Sequence, residues 1–259
     1  MKKILFLGYG KKSTRLIDEI KFYKKNYHIR QTSKKVDLKT LKKFNSIVSF
    51  GYRHIIDKKI IKKLKIPIIN LHIGYLPYNR GAHPNFWSFI ENTPSGVSIH
   101  EVDEGIDTGK IVDQKMIDFQ LFKNRNRLTF SNTYKELLNE AEDLFLINIE
   151  KIINNNFSSY KQIGKGSSHK KNELPKLLKN WNQNIYKTVI KFNDMKKNQI
   201  NRRLLILKKI ENTRQGNNLN WMNIVRNSLK NAPKSTLDIL KKINFDDNKI
   251  SDLFKSIIK

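Results

Sequence analysis

Ile66-Pro-Ile-Ile-Asn70-Leu-His72-Ile-Gly-Tyr75-Leu-Pro77-Tyr-Asn79-Arg80-Gly81 is the stretch on which the reading of this chain turns. The apolar run 66–69 leads directly into Asn70 and His72, two residues apart. In an extended strand that spacing points both side chains to one face, so a carboxamide and an imidazole end the strand side by side. Further on, the β-branched run 97–102 is followed by Asp103-Glu-Gly105-Ile-Asp107-Thr-Gly109. This glycine-flanked turn can bring the Asp107 carboxylate back toward the imidazole. Each residue alone has a plainer use: Asn70 as a strand-ending turn residue, His72 as a satisfied core or loop histidine, Asp107 as a turn cap. Together, next to Leu76-Pro77 and Asn79-Arg80-Gly81, they make a center suited to acyl transfer.

Working outward, residues 1–165 alternate short β-rich runs (3–7, 47–50, 66–71) with amphipathic stretches (15–23, 55–64). That rhythm predicts an α/β fold: a Rossmann-like, doubly wound, mostly parallel sheet with helices on both faces and a mainly helical C-terminal appendage. Ligands on such sheets sit beyond the carboxyl ends of the strands, where Asn70 and His72 stand. Residues 86–91 read as the start of a helix, and 134–154 as an amphipathic helix with Leu137, Leu138, Ala141, Leu144, Phe145 and Ile149 on its stripe. After Gly164-Lys-Gly166-Ser-Ser-His169 the chain turns lysine- and asparagine-rich. We expect 1–165 to be the main domain, 166–215 a linker and helical connection, and 216–259 a small helical appendage. Helical spacing over 219–229, 236–243 and 250–258, with breaks at Pro233 and 244–248, predicts three short helices there.

The chain has 259 residues, 51 Lys and Arg against 23 Asp and Glu, a formal net charge of +28, six histidines and no cysteine. Without cysteine there is no thiolate metal site, and the histidines lack the paired spacing that zinc needs, so no metal is expected. The opening Met1-Lys-Lys-Ile-Leu-Phe-Leu-Gly8 is too short an apolar run for a signal peptide and reads as a first strand. No run is long enough to span a membrane, which predicts a cytoplasmic protein. Gly8-Tyr-Gly10 has Ser13 where a dinucleotide fingerprint has its third glycine, so a strand-to-helix turn is the better reading. The charge favors anionic partners, although lysine, asparagine and isoleucine are abundant throughout. Residues 161–259 hold 23 Lys and Arg and 7 Asp and Glu, a denser excess than in the first 160. Trp181, Tyr186, Phe192, Trp221, Phe245 and Phe254 recur at helical positions in this tail, which predicts core packing of the appendage or self-association into a homodimer.

The segment from Asn70 to Gly109, with Asn-x-His, a Leu-Pro turn, an Arg-Gly and a later Asp-x-Gly, resembles the core of the folate-dependent formyltransferases. Within it, Gly74-Tyr75-Leu-Pro-Tyr-Asn79-Arg80-Gly81-Ala-His83-Pro84-Asn85-Phe-Trp87 is similar to the branch acting on nucleotide-linked amino sugars, with His83 where many of that branch have Asp. The methionyl-tRNA and glycinamide ribonucleotide formyltransferases are related. The resemblance implies a formyltransferase fold over 1–165 and transfer of a formyl group from 10-formyltetrahydrofolate, without a metal, to a dTDP- or GDP-linked 3- or 4-amino deoxysugar for surface polysaccharide synthesis. Asn70 would donate to the developing oxyanion, Asp107 would orient the imidazole, and His72 would act as base or, if protonated, as a second oxyanion donor. Phe50, Gly51 and Tyr52, with the backbone of Val102, Asp103 and Gly105, would take the pterin. Tyr75, Asn79, Arg80, Asn85 and Trp87 would take the sugar and its phosphates. Nucleic acid is not an expected partner on this reading. Its rivals are methionyl-tRNA formylation, whose usual C-terminal β-barrel the helical tail does not resemble, and a non-catalytic basic protein that binds nucleic acid.

Overall fold

A computed structural model of the chain describes residues 2–23, 27–122, 125–229 and 233–258. In chain order the elements are β1 (Lys2–Gly8), α1 (Leu16–Tyr23), β2 (Tyr27–Thr32), α2 (Leu38–Leu41), β3 (Ser46–Phe50), α3 (Lys58–Lys63) and β4 (Ile68–His72). Then follow β5 (Arg80–Gly81), α4 (Pro84–Ile90), β6 (Gly96–Glu101), β7 (Ile111–Met116), α5 (Phe130–Ile153), β8 (Ser168–His169), α6 (Ile185–Leu229) and α7 (Pro233–Ile258).

The main sheet runs β2-β1-β3-β4-β6-β7, the first four strands parallel and the last two antiparallel. β1 from Ile4 onward and all of β3 are buried because helices cover both faces of the sheet. Alternate residues divide between the two faces: Ile4, Phe6, Val48 and Ile69 pack with α1 and α5, while Leu5, Leu7, Ile47 and Ile68 pack with Leu41 and Phe44. The long helix α5 starts on a capping box between Thr129 and Asn132 and buries Leu137, Ala141, Leu144 and Phe145. Leu138 and Ile149, expected on the same stripe, are only partly buried at its margin.

Two compact units emerge, Met1–Val189 and Ile190–Lys259. The boundary expected near residue 165 lies later because the chain returns to the sheet after α5. Tyr160 bridges Ile111, β8 pairs with β5, and Ser131 N donates to the Trp181 carbonyl at 2.7 Å. In the second unit the structure corrects the expectation of three short helices to two long ones. α6 runs through Gly216, and 244–248 continues as helix within α7, where Asp247 accepts from Asn217 Nδ2 at 2.7 Å. Ile210, Ile243 and Ile250 are buried in this unit. The aromatics do not form its core as predicted: Tyr186 and Phe245 are exposed, Arg214 sits over the Phe254 ring, and Trp181 belongs to the first unit. The side chain of Trp221 lies outside the described ones. Among the described residues no helix is long and apolar enough to cross a membrane.

Candidate active site

β4 carries Asn70 and His72 to its carboxyl end, and the antiparallel β6 sets His100 opposite Asn70 and Ser98 opposite His72. Asp107, in the turn after β6, adopts a left-handed backbone (φ 53°), one of the few side chains besides glycine that tolerates it. Its Oδ2 lies 3.4 Å from His72 Nδ1 and its Oδ1 3.4 Å from His100 Nε2, while Gly81 N donates to Oδ2 at 2.8 Å.

His100 is nearly sealed from solvent and fixes the amide beside it. Its Nδ1 stands 2.8 Å from the Glu101 carbonyl, which can only accept, so that nitrogen carries the proton. Nε2 then accepts from Asn70 Nδ2 at 3.1 Å, which leaves the second amide hydrogen of Asn70 free. His72 has Nδ1 on the Asp107 carboxylate and no hydrogen-bond partner at the buried Nε2. A Cβ at Gly74 would stand 2.7 Å from Nε2, so the glycine keeps that atom clear.

Burial pushes the His72 pKa below its ordinary value, against the Asp107 carboxylate, which pulls it up. Burial also pushes the Asp107 carboxyl up, but His72 at Nδ1 and the Gly81 N–H outweigh it and hold the group well below the usual carboxylate range. The pair at neutral pH is therefore an ionized carboxylate behind an imidazole with a free lone pair.

Asp107 is braced from outside the cavity. Gln162 Nε2 donates to the Asp107 and Gly109 carbonyls, both at 2.8 Å, and its Oε1 accepts from Arg80 Nη2 at 2.7 Å and Nε at 3.0 Å. Gly81, at φ 87°, passes so close to the His169 carbonyl that a Cβ would stand 2.5 Å from it. Asn79 is buried, with its N–H on Ser167 Oγ and its side chain on Thr93 and Ser167.

Asn70, His72 and Asp107 open on a cavity of about 600 Å³, within the range of small-molecule sites. Tyr9, Phe50, Tyr52, Phe130, Tyr134 and Trp181 share its lining. The Tyr9 and Tyr134 hydroxyls are 2.6 Å apart, and burial, then Tyr9, pushes the Tyr134 pKa up. His83, also at a left-handed backbone, packs its ring 5.3 Å from Trp181.

Of the residues expected from sequence, Asn70, His72 and Asp107 converge, and Phe50, Gly51 and Tyr52 border the same space. Val102, Asp103 and Gly105 do not line it. Val102 N extends the ladder to Ile68, and Asp103 Oδ1 ties up Gly105 N and Thr108 Oγ1. Tyr75, Asn79, Arg80 and Trp87 do not line it either: Tyr75 lies beside Gly96, Asn79 is held by Thr93 and Ser167, Arg80 is engaged by Gln162, and Trp87 stacks on His169 with ring centroids 4.0 Å apart. Asn85 borders the cavity with its amide already spent on Phe130 O and Thr133 Oγ1. Sequence reasoning missed His100, Tyr9, Tyr134 and Gln162. Only His100 left a signal, in its even spacing from Ser98 on a strand antiparallel to Asn70. Among the described residues no group of His, Asp, Glu or Cys could hold a metal ion.

A solved structure of the formyltransferase PseJ from Anoxybacillus kamchatkensis, in complex with UDP-4,6-dideoxy-4-formamido-L-AltNAc and tetrahydrofolate, is similar at TM-score 0.64 and 36% identity, covering 72% of this chain and 97% of that one. The methionyl-tRNA formyltransferase of Prochlorococcus marinus is 35% identical over 130 residues, 48% of this chain and 38% of the relative. The dTDP-4-amino-4,6-dideoxyglucose formyltransferase of Mycobacterium tuberculosis is 23% identical over 137 residues, 53% of this chain and 56% of the relative. The chain thus spans little more than half, or less, of the length of these two curated relatives. Residues 4–138, which hold the convergent Asn70, His72, His100 and Asp107, match the formyl transferase family, and the chain belongs to it.

Proposed function

We propose that this protein transfers a formyl group from 10-formyltetrahydrofolate to the amine of a nucleotide-linked amino deoxysugar, a 3- or 4-amino sugar on dTDP, GDP or UDP, for surface polysaccharide synthesis in the cytoplasm. The observation that carries the reading is the meeting of a half-free Asn70 amide, a neutral His72 and an ionized Asp107 at a cavity that is also lined by aromatic residues. Its similarity to a chain solved with a UDP-linked formamido sugar and tetrahydrofolate supports the substrate class.

The sugar amine attacks the formyl carbon, forming the new C–N bond and an oxyanion. The remaining Asn70 N–H donates to that oxygen, a preorganized contact worth about 3–4 kcal/mol in the transition state. His72 takes the proton lost by the amine, and the Asp107 carboxylate stabilizes the imidazolium that results. The carbonyl re-forms as the C–N bond to the folate N10 breaks, and the proton passes to that leaving nitrogen. The aromatic lining offers flat faces to the pterin and to the base of the nucleotide.

The test is incubation with 10-formyltetrahydrofolate and a panel of dTDP-, GDP- and UDP-linked 3- and 4-amino sugars, read by product mass. A formamido sugar from at least one of them is expected. No formylated sugar, with methionyl-tRNA formylated in a parallel reaction, would overturn the reading in favor of the tRNA acceptor. No transfer to either, with salt-sensitive binding of nucleic acid, would overturn it in favor of a binding protein.

A further inference from the structure

Within the second unit α6 begins as an exposed helix. Every residue from 193 to 205 is exposed. An isolated helix draws most of its stability from packing an apolar face, so a long exposed one is expected to be polar all round. This one is not. Ile200 is 48% exposed, Leu204 57% and Leu207 42%, and their spacing puts them on one seam within about 60° of the helix circumference. Lys197 and Lys208 flank that seam on one side, Lys196 and Arg203 on the other. Between Asp194 and Glu211 there are six Lys and Arg and no acidic residue.

We infer that this part of α6 is a docking surface for an anionic lipid membrane, the seam of Ile200, Leu204 and Leu207 dipping into the headgroup region while the flanking cations meet lipid phosphates. Charge complementarity selects this occupant. A second copy laid seam to seam would bring lysine rails against lysine rails with Glu211, one turn past Leu207, as the one carboxylate on the seam line, and like charges at that range repel. A nucleic acid would satisfy the rails but leave three aliphatic side chains against a polar backbone, with no aromatic ring among them to stack on bases. A lipid headgroup layer accepts both, because aliphatic side chains reach the acyl boundary and lysine stems snorkel to the phosphates. Leu205, exposed but off the seam, is a built-in control. The inference does not depend on the reaction proposed above.

The experiment is sedimentation of the full chain with vesicles of phosphatidylcholine alone or mixed with phosphatidylglycerol. Pelleting with the mixed vesicles, weakened by salt, is expected. Ile200→Gln with Leu204→Gln and Leu207→Gln keeps good helix formers on exposed positions and lowers binding by about tenfold or more. Neutralizing the rails by Lys196→Gln, Lys197→Gln, Arg203→Gln and Lys208→Gln does the same. Leu205→Gln pellets as the parent does, and circular dichroism of all variants shows the parent's helix content. Absence of pelleting, or equal pelleting with phosphatidylcholine alone, overturns the inference. So does a dimer in lipid-free ultracentrifugation that the seam variant converts to monomer, or a Leu205→Gln loss equal to that of the seam.

Discussion

At the cavity Asn70, His72 and Asp107, with His100 held between Asn70 and Asp107, fix one another through contacts of 3.1–3.4 Å, backed by Gly81 and Gln162. The aromatic lining of Tyr9, Phe50, Tyr134 and Trp181 carries one hydroxyl-to-hydroxyl contact, Tyr9 to Tyr134, and an edge-to-face pair of Tyr9 with Phe50. The contrast teaches where the molecule commits its rigidity. Polar side chains in a buried wall must satisfy one another, and doing so fixes their angles within the tolerance that chemistry demands. Flat aromatic faces need no such network, and they accept a heterocycle in more than one pose.

The sharpest break comes from the polar groups. Asn70→Ala and His72→Ala are each expected to lower kcat by about a hundred- to a thousandfold with little change in KM, measured by steady-state formyl transfer. Since burial lowers the His72 pKa and the base works unprotonated, the acid limb of kcat/KM should fall below pH 6.5, the ordinary histidine value. Asp107→Asn removes the carboxylate that pulls His72 upward, so the limb should move to still lower pH as kcat drops. An alkaline limb in its place, with activity lost as His72 deprotonates, would mean that His72 acts in its protonated form.

Gly74→Ala comes next. A methyl 2.7 Å from His72 Nε2 forces the ring or the loop to shift, and misplacement of about 1 Å costs roughly a hundredfold in rate. Thermal stability should change far less than kcat. Equal losses in both would make Gly74 a fold residue alone.

Gln162→Ala tests whether bracing from outside the cavity reaches the chemistry. Losing the hydrogen bonds to the Asp107 and Gly109 carbonyls, each worth about 1 kcal/mol, should lower kcat by roughly tenfold and leave KM unchanged. Gln162→Glu keeps an acceptor for Arg80 but has no donor for those carbonyls, so it should fall as far as the alanine variant. Full activity in Gln162→Glu would place the effect on Arg80 instead.

How much of this the amino-acid sequence discloses depends on where each residue sits. β1, β3 and β4 are legible because central parallel strands are apolar on both faces, whereas the edge strands β2 and β7, Tyr-His-Ile-Arg-Gln-Thr and Ile-Val-Asp-Gln-Lys-Met, mix polar and apolar residues. Asn70 and His72 announce themselves by period-two spacing at a strand end, and Asp107 by its turn. His100 hides because it interrupts an otherwise β-branched run, and its meaning appears only in the antiparallel register with Asn70. Gln162 reaches Arg80 across 82 residues, and no local pattern encodes such a contact. Arg80 looked like a phosphate ligand for the same reason: the partner that engages its guanidinium lies outside any motif. The merger of the expected short helices into α7 has a different cause, since asparagines and aspartates in 244–248 read as breaks although one of them, Asp247, is held by Asn217.

The smallest effect is expected in the aromatic lining, at Trp181, whose ring borders the cavity and is 41% exposed. Its carbonyl, which accepts from Ser131 N, survives substitution, so the backbone around the site stays put in Trp181→Ala. What is lost is one face for a flat ligand, worth about 1 kcal/mol, which amounts to roughly a fivefold rise in one substrate's KM with kcat retained. Trp181→Phe should recover most of it. Measuring KM for the folate and for the nucleotide sugar separately assigns the ring to one of them, because only the substrate that lies on it will weaken. A fall in kcat comparable to that of Gln162→Ala would break the comparison, for it would mean that the aromatic wall, too, holds the reacting atoms in register.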